Sequence, residues 1–146
     1  MLAKFFNAMA WLALIFAFFI FLISYANYPD EVLVYVNSVG EPLQYLSKDL
    51  LFYTLIAFLI SFNAILISLN RVLNKSAVEL VLTETGISLS QLFLNLFFAT
   101  SVYFISILNS RENFNYSNFG YLIYVTGGLV FFAIIFTLVS RFILKK

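Results

Sequence analysis

The chain has 146 residues, 63% of them hydrophobic and 10% charged, with a mean hydropathy of +1.00 and a formal net charge of +1. Soluble domains carry about a quarter charged residues, so this chain could not cover its own surface in water, and a lipid bilayer is the implied solvent. Lacking cysteine and histidine, it has no disulfide, no thiolate chemistry and no imidazole metal ligand or proton shuttle. A charge this small, without a basic cluster, also argues against nucleic acid as a partner.

Four near-continuous apolar runs, at residues 9–25, 50–69, 89–108 and 121–142, predict transmembrane helices. About 20 helical residues cross a hydrocarbon core of roughly 30 Å, and a membrane barrel would instead show shorter, alternating strands. The expectation is an all-α membrane protein: one domain over residues 1–146, a four-transmembrane-helix bundle with a structured first outer loop. In the first run, Lys4 before the apolar stretch and Ser24-Tyr25-Ala26 after it also fit a secretory leader. We count the segment as a span.

The first connection, residues 27–49, opens with Asp30 and Glu31 and continues with Val32, Val34 and Val36 alternating with Leu33 and Tyr35. That pattern predicts a short strand, with Gly40-Glu41-Pro42 as a turn after it. The second connection, residues 70–88, places Val78, Leu80, Val81 and Leu82 between Glu79 and Glu84. It predicts a short interfacial helix ending near Gly86, with Ser88 or Ser90 capping the third span. The third, residues 109–120, is rich in Asn, Tyr and Phe, as at a headgroup belt. Its Asn115-Tyr116-Ser117 fits a glycosylation acceptor pattern.

Lys4, Arg71, Lys75, Arg141, Lys145 and Lys146 fall on one side of the spans, and only Lys48 and Arg111 on the other. The positive-inside rule then puts both termini in the cytoplasm, N-in and C-in. Asp30, Glu31, Glu41, Asp49 and Glu112 against two basic groups leave the outer face at −3.

The four predicted runs contain no Asp, Glu or Lys, and their one Arg is Arg141, a single position from the end of the fourth, which disfavours proton relays, ion-coupled transport and voltage sensing. The most polar residues inside are Asn63 and Asn95. They read first as amides bonded across a helix interface, and second as part of a polar path or ligand site with Thr100. Asn95 shares a face with Ser106 and Asn109. Small residues line up as Ala10, Ala13 and Ala17 on the first span, and as Ala57, Ser61, Ala64 and Ser68 on the second. Packing within the chain is the first reading of these stripes, and a docking face for another subunit the second. Gly127 and Gly128 read as close packing or a kink. The 19 phenylalanines read as lipid-facing bulk. No nucleophile motif, phosphate loop or paired-carboxylate site is present, so neither catalysis nor a cofactor is expected.

Pro29, Asp30, Asn37, Gly40, Glu41, Pro42, Ser47 and Lys48 together form a segment that resembles the loop motif of a bacterial membrane-protein family of unknown function, related to the SdpI-type immunity and signalling proteins. Tyr35 stands where that family usually has histidine, and Leu46 where glycine is common. The resemblance implies an envelope protein with a sensor or immunity-like binding role and no established catalysis. The expected function is a non-enzymatic subunit or accessory protein in a larger inner-membrane complex, its partners being the bilayer and other membrane subunits. A small transporter or ligand sensor is the alternative. The wealth of Phe, Ile, Asn and Tyr suggests a bacterial source.

Overall fold

The computed structural model of the chain describes residues 2–37, 40–73, 80–110 and 117–143. In chain order the elements are α1 (Leu2–Asn27), β1 (Glu31–Val36), β2 (Pro42–Ser47), α2 (Lys48–Leu73), α3 (Leu80–Leu108) and α4 (Ser117–Ile143). Lys75, Val78, Glu79, Arg111, Glu112, Asn115, Tyr116, Lys145 and Lys146, all used in the sequence reading, lie outside the described residues.

Four helices are long and apolar enough to cross a membrane. Each outruns its apolar window. Hydropathy falls where polar residues begin, whereas a helix keeps satisfying its own backbone groups through the headgroup zone. α1 stops where the Asn27 side-chain amide donates to the Ile23 carbonyl at 2.9 Å, two residues before Pro29, whose ring disfavours helical geometry in its predecessor. α2 starts directly from β2, with the Ser47 hydroxyl accepting from the Leu50 backbone N–H at 3.4 Å.

The expected break near Gly86 is overturned. α3 runs unbroken through Glu84, Gly86 and Ser88, so there is no separate interfacial helix ending there and neither Ser88 nor Ser90 is a cap. Ser88 is buried mid-helix, and the Ser90 hydroxyl bonds back to the Gly86 carbonyl at 2.9 Å. The physical reason is tertiary: a Cβ added at Gly86 would lie 2.5 Å from Thr137 Oγ1 and 3.1 Å from Thr137 Cα. This glycine is a contact point between α3 and α4, not a stop signal. The longer candidate spans Leu2–Asn27, Lys48–Val72 and Val81–Leu108 take in Lys4, Lys48, Asp49, Arg71 and Glu84, so the charge-free reading does not extend to the helix ends.

α3 is the hub. α1 and α4 lie along much of its length, and α2 packs on it more lightly. Ala17 and Phe21 of α1 meet Phe98, Ala99 and Val102 of α3 and Leu59 of α2 in the main core. The Phe21 ring stacks on Phe52 at 5.3 Å between centroids. Later residues of α1 meet later residues of α3, so these two run parallel. α2 and α4 run the other way, since Asn63 bonds Asn95 while the earlier Phe52 meets the hairpin end of α1, and Thr126 bonds Thr100 while Thr137 meets Ser90. Leu2 and Ile143 therefore lie at the same end of the molecule.

The α1–α2 connection is an antiparallel hairpin, the one β element among the described residues of a mostly helical fold. Only its first strand is legible as an alternating run. Val32 and Leu46 pair across it, with Val32 fully buried against Tyr28 and Leu51 at the mouth of the bundle. Gly40, at φ +87°, takes the left-handed turn that other residues resist.

Candidate functional site

The two central asparagines meet. Asn63 Nδ2 donates to Asn95 Oδ1 at 2.9 Å, and Asn95 Nδ2 donates back to Asn63 Oδ1 at 3.1 Å. Gln91 Nε2 donates to the same Asn63 oxygen at 3.0 Å, and Asn63 Nδ2 also reaches the Leu59 carbonyl at 2.8 Å. All three amides are buried. Gln91 is absent from the sequence reading, although its position four residues before Asn95 puts it on the same helix face. An interhelical bond of this kind contributes about 0.6–2 kcal/mol, and neutral amides carry no proton to exchange near pH 7. The clasp ties α2, the more lightly packed helix, to the hub.

Thr100 does not join them. Its hydroxyl donates to the Phe97 carbonyl at 2.9 Å and meets Thr126 of α4 at 3.1 Å, so the three residues of the alternative polar site divide between two helix interfaces. Ser106 buries its hydroxyl beside Tyr28 near the hairpin end of α3. Asn63 also lines an apolar groove of about 440 Å³ between α1 and α2, together with Leu14, Leu59 and Ala64.

The small-residue stripes separate. Ala10, Ala13 and Ala17 are buried, joined by Ala3 and Ser24 at heptad spacing. Ala57, Ser61, Ala64 and Ser68 are all exposed, so packing within the chain does not account for the α2 stripe. α4 continues as a helix through Gly127 and Gly128. A Cβ at Gly127 would make an ordinary 3.5 Å contact with Phe97, and one at Gly128 would meet nothing.

The loop motif resolves into two clusters. At the turn, Asn37 and Glu41 hold each other: Asn37 Nδ2 donates to Glu41 Oε2, and the Glu41 N–H donates to Asn37 Oδ1, both at 2.8 Å. The Gly40 N–H donates to the Asn37 carbonyl at 3.0 Å. At the base, the Lys48 N–H donates to the Asp30 carbonyl at 2.8 Å. Lys48 Nζ turns inward to the Tyr28 carbonyl at 2.9 Å and sits 4.9 Å over the Tyr25 ring. It serves the hairpin base. Pro29 and Pro42 flank these clusters and are exposed.

Two further residues complete the site. Asn109, at the end of α3, accepts from the Leu33 N–H at 2.8 Å and donates to the Leu33 carbonyl at 2.9 Å. Its amide thus substitutes for a neighbouring strand along β1. Tyr28 is buried, its hydroxyl donating to the Val102 carbonyl at 3.0 Å, and burial pushes its phenol up to about 12.

Comparison with protein families, curated proteins and solved structures finds no match to this chain.

Proposed function

We propose that the protein is a non-enzymatic accessory subunit of a cytoplasmic-membrane complex, oriented with both termini inside and the hairpin outside. The observation that carries this reading is the exposed small-residue face of α2. Inside a bilayer, small residues bring helices together because they let backbones approach closely and pack by van der Waals contact. α1 uses its alanines in that way against α3, whereas the α2 stripe is left free for a neighbouring chain. The hydrogen-bonded clusters at the two ends of the hairpin, Asn37–Gly40–Glu41 and Asp30–Lys48, give such a subunit a shaped binding element, and the loop's resemblance to the SdpI-type family supports a place in a bacterial envelope.

The chain contains no cysteine, so single cysteines test the proposal directly. Ser61→Cys and Ser68→Cys should be shielded from a membrane-soluble maleimide in native membranes and labelled rapidly once the protein is purified. Equal labelling in both settings would overturn it. Reporters fused to each terminus should both be cytoplasmic.

A second reading, a small transporter or ligand sensor, draws support from Asn63 lining the α1–α2 groove. Replacing Asn63 and Asn95 together with leucine should abolish such an activity while leaving insertion intact.

A further inference from the structure

The two edges of the hairpin are treated differently. Along β1, both backbone groups of Leu33 are taken by the Asn109 amide, so Leu33 points its N–H and C=O away from β2. Leu33 is paired with Tyr45. In an antiparallel ladder, residues opposite one another share the same hydrogen-bonding direction, so this is a non-hydrogen-bonded pair. Tyr45 must then point its own N–H and C=O outward from the sheet. The base agrees, since the Lys48 N–H bonds the Asp30 carbonyl, which makes the intervening Glu31–Ser47 pair outward-facing as well. Beyond Gln44 the register shifts, and Leu43 has no partner in the ladder. Among the described residues no further strand pairs with this outer side of β2.

Exposed edges are normally blunted by lysine, proline, a bulge, an inward charge or a covering element, and here Pro42 and the register shift beside it blunt only the turn end of β2. Residues 43–46 here are Leu, Gln, Tyr and Leu, and Leu43 and Tyr45 are 58% and 53% exposed. The rim is acidic: Asp30, Glu31, Glu41 and Asp49 are all exposed, while the one cation of the segment, Lys48, is turned onto the Tyr28 carbonyl.

We infer that the outer edge of β2 is a docking site for an extended cationic polypeptide segment, which adds as a third strand beside Leu43–Ser47. Its backbone would pair with both groups of Tyr45 and with the Ser47 N–H, its apolar side chains would lie on Leu43 and Tyr45, and its basic side chains would meet the carboxylate rim. Strand addition of this kind takes affinity from main-chain hydrogen bonds and selectivity from alternate side chains, with charge complementarity speeding encounter and excluding acidic segments. The inference rests on the partner-binding reading above but concerns a different surface from the α2 face.

The test uses the full chain in phosphatidylcholine nanodiscs, whose neutral lipid gives a cationic peptide no counter-charge. The probe is a blocked octapeptide alternating lysine and valine. It should bind at least about tenfold more tightly than the glutamate–valine counterpart, with affinity falling as salt rises. A lysine–valine peptide N-methylated on the amides of one edge should lose binding on the unaltered protein, which keeps the test independent of any variant's folding. Tyr45→Pro should also lose binding. Its N–H lies outside the β1–β2 ladder, so proline is tolerated there as an edge residue. Undiminished binding of the methylated peptide, or equal binding of both charge types, overturns the inference. So does a protein dimer that Tyr45→Pro dissociates, because the edge would then belong to a second copy. Shielding of Ser61→Cys in native membranes is read separately: peptide failure with shielding removes the edge site alone, and loss of shielding removes the subunit reading.

Discussion

Two helices carry small-residue stripes of the same kind, and the fold gives them opposite surroundings. On α1, Ala10, Ala13 and Ala17 are buried against the hub, and among the described residues α1 reaches α3 by close backbone approach with no polar bond at its centre. On α2, Ala57, Ser61, Ala64 and Ser68 face away, and the buried face carries Asn63 in the amide clasp. One helix is held by packing and the other by polar bonds plus a shared aromatic contact. A stripe at helical spacing thus marks a face that can pack closely without saying which neighbour fills it.

The comparison breaks most sharply where small residues leave no room. Gly86→Val on α3 would force branched carbon into the backbone and hydroxyl of Thr137, and we expect a loss of about 3 kcal/mol. Gly128→Val, in open space on α4, should change stability by under about 0.5 kcal/mol. Unfolding in mixed micelles, followed by circular dichroism, checks both. Next comes the pair Ala17→Leu and Ala64→Leu. The first overfills a fully buried position and should destabilise by about 1–3 kcal/mol, whereas the second should leave the isolated protein unchanged and weaken only its association with a partner in native membranes. Equal stability losses would show that the α2 stripe packs within the chain.

A smaller effect is expected at the clasp. Asn95→Leu removes both bonds between Asn63 and Asn95, leaving the Asn63 amide short of a buried partner, and should cost about 0.6–2 kcal/mol. Replacing all three amides with leucine should recover much of that loss, because no polar group is then stranded. A triple variant worse than the single would mean that the amides do more than hold α2.

The four helices were legible because twenty-residue apolar runs leave few alternatives, and Asn63 and Asn95 stood out as the most polar residues within them. What the sequence obscured has local causes. Gly86 resembles a helix stop until Thr137 is brought against it from fifty-one positions away. Gln91 sat at the edge of a span drawn to start at residue 89, where a polar side chain attracts no notice. β2 lacks clean alternation, opening on proline and carrying Gln44 among apolar neighbours. Asn109 looked like the first residue of a loop, because nothing local shows that its amide would satisfy a strand seventy-six residues earlier.

The finest test lies at the hairpin end of the α1 seam, where Tyr28 closes it. The ordinary phenol value of 10.0 rises there to about 12 through burial. Below pH 10 the phenol is protonated in folded and unfolded chains alike, and its contribution to stability is complete. Between 10 and about 12 the unfolded chain releases this proton while the folded chain keeps it, so stability falls as pH rises, by at most about 1.4 kcal/mol per unit. Tyr28→Phe should remove that part of the slope. At neutral pH it should lose about 1 kcal/mol with the bond to the Val102 carbonyl. The quantity to measure is the difference between the two proteins' stability slopes above pH 10, since other groups titrate in both. Identical slopes would mean that water reaches the phenol, and that the α1 seam, unlike its tightly packed centre at Ala17, is open at the hairpin.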